Sequence, residues 1–219
     1  MKPVDMKAVI AFGGAVAVAA ASASATSVFT DRPTWASAAA DAGIGLEVSE
    51  SFEDFPSSDS DFFPSIDANG FTVSSVDVNF DFLDPLTVQD SASGGQPTDG
   101  DQLLSVSALD FTETTFAFDN PVTAVGLDLI DFGDFGGQAS TIVATLSSGE
   151  EITIFDGIGV SGNQAFFGVI TDAPIDSIVI RNNFDGDQYG IDNVQAGIPT
   201  PGAAGLLGVA GLASVRRRR

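Results

Sequence analysis

The chain has 219 residues, with 30 acidic against 8 basic side chains, a net charge of −22, and neither cysteine nor histidine. The missing Cys and His exclude disulfides, thiol nucleophiles, zinc–thiolate sites and the usual Ser–His–Asp triad, leaving carboxylate chemistry and oxygen-ligand metals such as Ca²⁺. The negative field argues against nucleic acid as a partner, because phosphates are repelled.

In chain order, Lys2 and Lys7 supply a positive start, Ala8 to Ala21 is an apolar run of small residues, and Ala23-Ser24-Ala25 fits an A-x-A cleavage site. Residues 1–25 therefore read as a secretory signal peptide with a short apolar helix. The alternative is an uncleaved membrane anchor, for which the run is short. Residues 26–197 form the body. It holds 29 acids and only two cations, Arg32 and Arg181, a net charge close to −27. Its length suits one domain with its own core.

The body opens with one expected helix. Thr30 or Asp31 caps it, Pro33 suits its first turn, and the Trp35-led alanine-rich segment runs to Gly43. Everything after it reads as short strands. Val76 to Phe82 alternates apolar and polar with period two. Phe111 to Phe118 and Val122 to Ile130 follow, then a hairpin from Ser140–Ser147 through Ser148-Gly149 into Glu151–Phe155. Phe166–Thr171, Ile175–Arg181 and Tyr189–Gln195 complete the series, separated by Asp, Pro, Asn and Gly turns. The stretches 56–61 and 91–101 are polar loops. The pattern predicts an all-β fold, an antiparallel β-sandwich with one short N-terminal helix.

Four groups of residues are candidates for chemistry. Asp77, Asn79 and Asp81 lack the Gly and Glu that an EF-hand needs, and share the solvent face of a strand. The loop from Asn183 to Asp192 places Asp185, Asp187 and Asp192 at short spacing around Gly186. With Glu53 and Asp54 from an early strand it forms a candidate structural Ca²⁺ site, or else an ordinary Asp-Gly turn. Asp131 and Asp134, on a loop with Gly133, Gly136 and Gly137, form one wall of a candidate ligand site or a solvated turn. Tyr189, beside the Asp-rich loop, is a candidate sugar-stacking platform, whereas Trp35 on the helix reads as core. No carboxylate stands out as a catalytic acid among so many. The reading is a non-enzymatic protein, with a secreted carboxylate-dependent glycan hydrolase as the alternative.

Residues 198–219 form a tail. Pro199-Thr200-Pro201-Gly202 is a turn motif, the run to Val215 is apolar but shorter than the ~20 residues of a comfortable membrane span, and Arg216, Arg217, Arg218 and Arg219 end the chain. The alternative, a C-terminal core helix, would need a polar face that this run lacks. The three-part order resembles a PEP-CTERM sorting signal, the bacterial tail read by an exosortase. Thr200 stands where that family usually has Glu. The resemblance implies a Gram-negative, polysaccharide-producing host, a sorting enzyme of the exosortase type as partner, transient inner-membrane anchoring through the apolar helix, and delivery to the cell surface or extracellular matrix. The body is similar to the jelly-roll, carbohydrate-binding-like domains found ahead of such tails. The matching segments are Arg32 to Ala42, Glu50-Ser51-Phe52-Glu53, Phe118 to Gly126, Phe166-Phe167-Gly168 and Gly190-Ile191-Asp192-Asn193-Val194. This resemblance implies weak polysaccharide binding, with Ca²⁺ as the cofactor to consider.

Overall fold

The computed structural model describes residues 25–58, 61–77, 86–92, 95–107, 112–137, 139–182 and 188–200. The signal segment with Ala23, the tail from Pro201 through Arg216–Arg219, and Asn79, Asp81, Asp185 and Asp187 lie outside them. Among the described residues no helix is long and apolar enough to cross a membrane.

The body is mostly β, as expected. Strand β1 (Thr26–Phe29) leads to α1 (Arg32–Asp41), the one α-helix among the described residues, followed by β2 (Ile44–Glu50), β3 (Ser65–Ala68), β4 (Phe71–Asp77), β5 (Leu86–Gln89), β6 (Leu103–Ser107), β7 (Thr112–Ile130), β8 (Ser140–Leu146), β9 (Glu151–Gly157), β10 (Gln164–Asn182) and β11 (Gln188–Pro199). A short turn, Phe135–Gly137, in which Gly136 takes φ 64°, separates β7 from β8. Helix α1 starts where the sequence predicts. The Asp31 carboxylate accepts the Thr34 N–H at 2.9 Å and Pro33 occupies the first turn. The helix ends at Gly43, whose φ of 70° suits a residue without a Cβ.

All strand pairings are antiparallel, in the order β5-β6-β11-β7-β10-β8-β9. β1 adds to β10, β2 to β11, and the β3–β4 hairpin to β7. The order is open, so the sheet is not a barrel. Strands β7 and β10 are each long enough to serve both ends of the sheet. The N-terminal half of β7 pairs with β4 and the C-terminal half of β10, while its C-terminal half pairs with β11 and the start of β10. The register between β7 and β10 shifts around Ile170 to Ser177. There the sheet turns over, and its two halves close on one core. Phe71, Val73, Phe116, Ile178 and Ile180 from one half join Val125, Leu127, Leu129, Phe167, Val169 and Ile191 from the other.

Two features depart from the sequence reading. The expected strands Phe111–Phe118 and Val122–Ile130 fall, from Thr112 on, in one strand, Thr112–Ile130, which runs through Asp119-Asn120-Pro121. Likewise β10 runs through Asp172 to Pro174. Residues 196–199, which lie beyond the expected strand Tyr189–Gln195, belong to β11. The ladder with β2 continues to Pro199 opposite Ile44, which carries the sheet two residues past the expected end of the body.

Candidate functional site

The C-terminal half of β7 is buried on both faces, from Ala124 to Ile130. Val125, Leu127 and Leu129 point into the core, so Ala124, Gly126, Asp128 and Ile130 share the opposite face. That face is roofed by α1 and by the loop between β5 and β6. Gly126 and Gly168 pair across β7 and β10 and leave a flat slot for the Trp35 ring. A Cβ on Gly168 would lie 2.6 Å from Phe166 and 2.8 Å from Trp35, and one on Gly126 would lie 2.9 Å and 3.0 Å from the same rings. Trp35 is fully buried, donates its indole N–H to the Val169 carbonyl at 3.2 Å, and packs on Phe166 at 5.7 Å. It is a core residue, as the sequence predicts.

One helical turn before Trp35, on the same side of α1, Arg32 reaches a polar cluster. Its guanidinium lies 3.1 Å from Asp128 Oδ2, donates to the Asn193 carbonyl at 2.7 Å, and sits 4.6 Å over the Phe166 ring. Asp128 lies directly across the β7–β11 ladder from Asp192. Two carboxylates facing one another on adjacent strands repel, and both are buried. Arg32 offsets one. Peptide N–H groups hold the other: Thr98 and Asp99 donate to Asp192 Oδ2 at 2.6 and 2.8 Å, and Asn193 donates to Oδ1 at 2.6 Å. The Thr98 hydroxyl lies between the two acids, 2.7 Å from Asp128 and 3.0 Å from Asp192. Burial pushes the Asp192 carboxyl above the usual carboxylate range, against these hydrogen bonds. Asn193, at φ 48°, forms the local bulge that turns Asp192 under the loop.

Glu53 grips the same loop from its other end. Its Oε1 accepts the N–H groups of Asp101 and Gln102, both at 2.7 Å. Gly100, at φ 76°, lies so close that a Cβ there would strike the Glu53 carboxylate. Residues 98–102 are thus fastened from below at four peptide N–H groups by two carboxylates. The side chains of Asp99 and Asp101 remain exposed.

The sequence-predicted residues distribute as follows. Glu53 and Asp192 do converge on one loop, where both hold peptide N–H groups. Asp54 is exposed. Among the described residues no three acids lie close enough to hold a metal ion. Tyr189 is fully buried, with its hydroxyl 3.1 Å from the Thr114 hydroxyl, which in turn pairs with Ser75. It fills the core and offers no face to a sugar, which corrects its assignment as a stacking platform. Asp131 is fully buried at φ 51° and accepts the Gly162 N–H. Burial pushes its carboxyl up; that N–H opposes the shift and the Asp134 charge adds to it. The adjoining peptide groups of Asp131 and Phe132 bond to Asn163 at 2.7 and 2.8 Å, so Asp131 joins the β7 and β9–β10 loops and is no open wall. Asp134 is partly exposed beside it. Sequence reasoning missed Arg32, Asp128 and Thr98. One signal for Arg32 was available: a body with two cations has few ways to neutralise a buried acid.

No family model matches the chain, and no curated protein matches it in sequence. Among solved structures, the K2 cleaved adhesin domain of Lys-gingipain is 10% identical, with a TM-score of 0.43 over 68% of this chain and 96% of that one. The K3 cleaved adhesin domain of Lys-gingipain from Porphyromonas gingivalis w83 is 12% identical, with a TM-score of 0.44 over 69% and 98%. The C-terminal family 22 carbohydrate binding module of Clostridium thermocellum Xyn10B is 15% identical, with a TM-score of 0.35 over 71% and 94%.

Proposed function

We propose that this chain is an exported, non-enzymatic protein of the cell surface or extracellular matrix, a jelly-roll body that binds polysaccharide weakly through loop 98–102 and is sorted through its C-terminal tail. The host in this reading is a Gram-negative bacterium. The tail enters the inner membrane transiently and meets an exosortase-type enzyme. The observation that carries the binding reading is the loop itself. Its backbone is fixed from beneath by Asp192 and Glu53, while Asp99 and Asp101 face solvent. A rigid scaffold presenting exposed acceptors on a loop is how folds present recognition residues, and carboxylates accept hydrogen bonds from sugar hydroxyls. Without an aromatic platform at Tyr189, affinity rests on those hydrogen bonds and is low.

The hydrolase alternative requires two facing acids open to substrate. Asp128 and Asp192 face one another, but Arg32, Thr98, Asp99 and Asn193 occupy them under the loop. Affinity electrophoresis and glycan arrays test the proposal. The purified chain should bind at least one neutral polysaccharide without releasing sugar. The double variant Asp99→Ala/Asp101→Ala should lose that binding at an undiminished melting temperature. Retained binding overturns the loop assignment, and released sugar overturns the non-enzymatic reading.

A further inference from the structure

The junction between body and tail is built into the sheet. Ile198 pairs with Gly45 and Pro199 with Ile44 across β2 and β11. Thr200 then donates both its backbone N–H and its hydroxyl to the Gly43 carbonyl, each at 2.9 Å. Its methyl lies over Gly45, where a Cβ would be 3.0 Å away, and Gly197 approaches the Gly45 carbonyl so closely that a Cβ there would collide with it. Gly43 is also the residue that closes α1, its own N–H bonding to the Ala40 carbonyl at 3.0 Å. One residue, Gly43, therefore ties the exit of the helix through its N–H and the start of the tail through its carbonyl.

The chemistry of position 200 decides whether this tie forms. Threonine supplies a β-hydroxyl to the Gly43 carbonyl and a methyl to the Gly45 backbone. Glutamate, which the sorting family usually carries there, has neither group at that carbon. A peptide bond already paired inside a sheet becomes available to a processing enzyme only when that sheet opens locally.

We propose that Thr200 is a positioning residue that fastens the tail to the body, so that processing falls beyond residue 200 and leaves β11 intact. The processing half rests on the sorting reading above; the fastening does not. Hydrogen exchange and limited proteolysis on the full chain in detergent micelles test it, with Thr200→Val, which keeps the shape and the N–H, and Thr200→Ser, which keeps the hydroxyl. The wild-type Thr200 amide should exchange at least about tenfold more slowly than in an unstructured peptide. Thr200→Val should speed that exchange about fivefold, the worth of one hydrogen bond, with Thr200→Ser staying near wild type. The first proteolytic cuts in the wild type should fall after residue 200. Wild-type exchange at the unstructured rate, a valine variant indistinguishable from wild type, or first cuts within 194–199 would each overturn the fastening. The intact mass of protein from its exporting host separates the two ideas. A chain retaining Arg219 beside a protected Thr200 amide overturns the sorting reading and the processing half. A chain cut beyond residue 200 with an unprotected amide overturns the fastening alone.

Discussion

Asp192 is a charge placed where charge is expensive. It is fully buried, it faces Asp128 across the ladder, and three peptide N–H groups converge on it. Its raised carboxyl fixes the sign of a pH effect. A carboxyl whose folded pKa lies above its unfolded value of about 3.9 favours folding when protonated. Its favourable contribution is fully present below that unfolded value and is lost as pH rises through the folded one. Asp192→Asn has no such titration, and it places an NH₂ group where a carboxylate oxygen accepted. The variant should be less stable at neutral pH by about 1–3 kcal/mol, through lost acceptor capacity. The gap to wild type should widen on acidification toward the ordinary carboxylate range. Thermal melts of both proteins from neutral to acidic pH check this, and a gap that shrinks on acidification refutes the assigned cause. None of these contacts was legible in the sequence. Arg32 meets Asn193 across 161 positions, and periodicity carries no information over such distances. Of the acidic motif, Asp192 is described, and it is held by three peptide N–H groups and the Thr98 hydroxyl.

Individual elements were legible in proportion to how one-sided their environment is. Helix α1 was readable because a cap and a proline announce its start, and the β8–β9 hairpin because Ser148-Gly149 interrupts two runs. Strand β6 was not readable. Four of its five residues are buried, so it has no polar alternation to detect. Strands β7 and β10 were each read as two because Asp119-Asn120-Pro121 and Asp172 to Pro174 are turn chemistry. The structure spends that chemistry on bending long strands where the sheet turns over. The slot beneath α1 gives a sharper test at this scale. Gly168→Ala forces a methyl against Phe166 and Trp35. It should cost about 1–3 kcal/mol by overpacking, read as a lower urea midpoint with an unchanged slope. A neutral result would mean that the helix does not sit in the glycine slot.

At the scale of the molecule, 29 acids and two arginines share the body. Both arginines are engaged, Arg32 with Asp128 and Arg181 with Glu113 and Glu151. The remaining repulsion is long-range and exposed, so screening should relieve it. The melting temperature should rise by several degrees between about 0.01 M and 0.5 M NaCl, as the Debye length falls from ~30 Å to a few ångströms. A flat or falling salt dependence would show that self-repulsion does not limit this fold.

The route by which β11 leaves the body has a mechanical side. The strand is bonded to β7 on one flank and to β6 and β2 on the other, and it runs straight into Thr200. Tension applied from the C-terminal side, with loop 98–102 held by a ligand, therefore runs along the strand axis. Antiparallel hydrogen bonds lie across that axis, so many of them share the force in shear. A body hung from such a strand resists pulling as a peg does, and gives way only when several rungs slip at once.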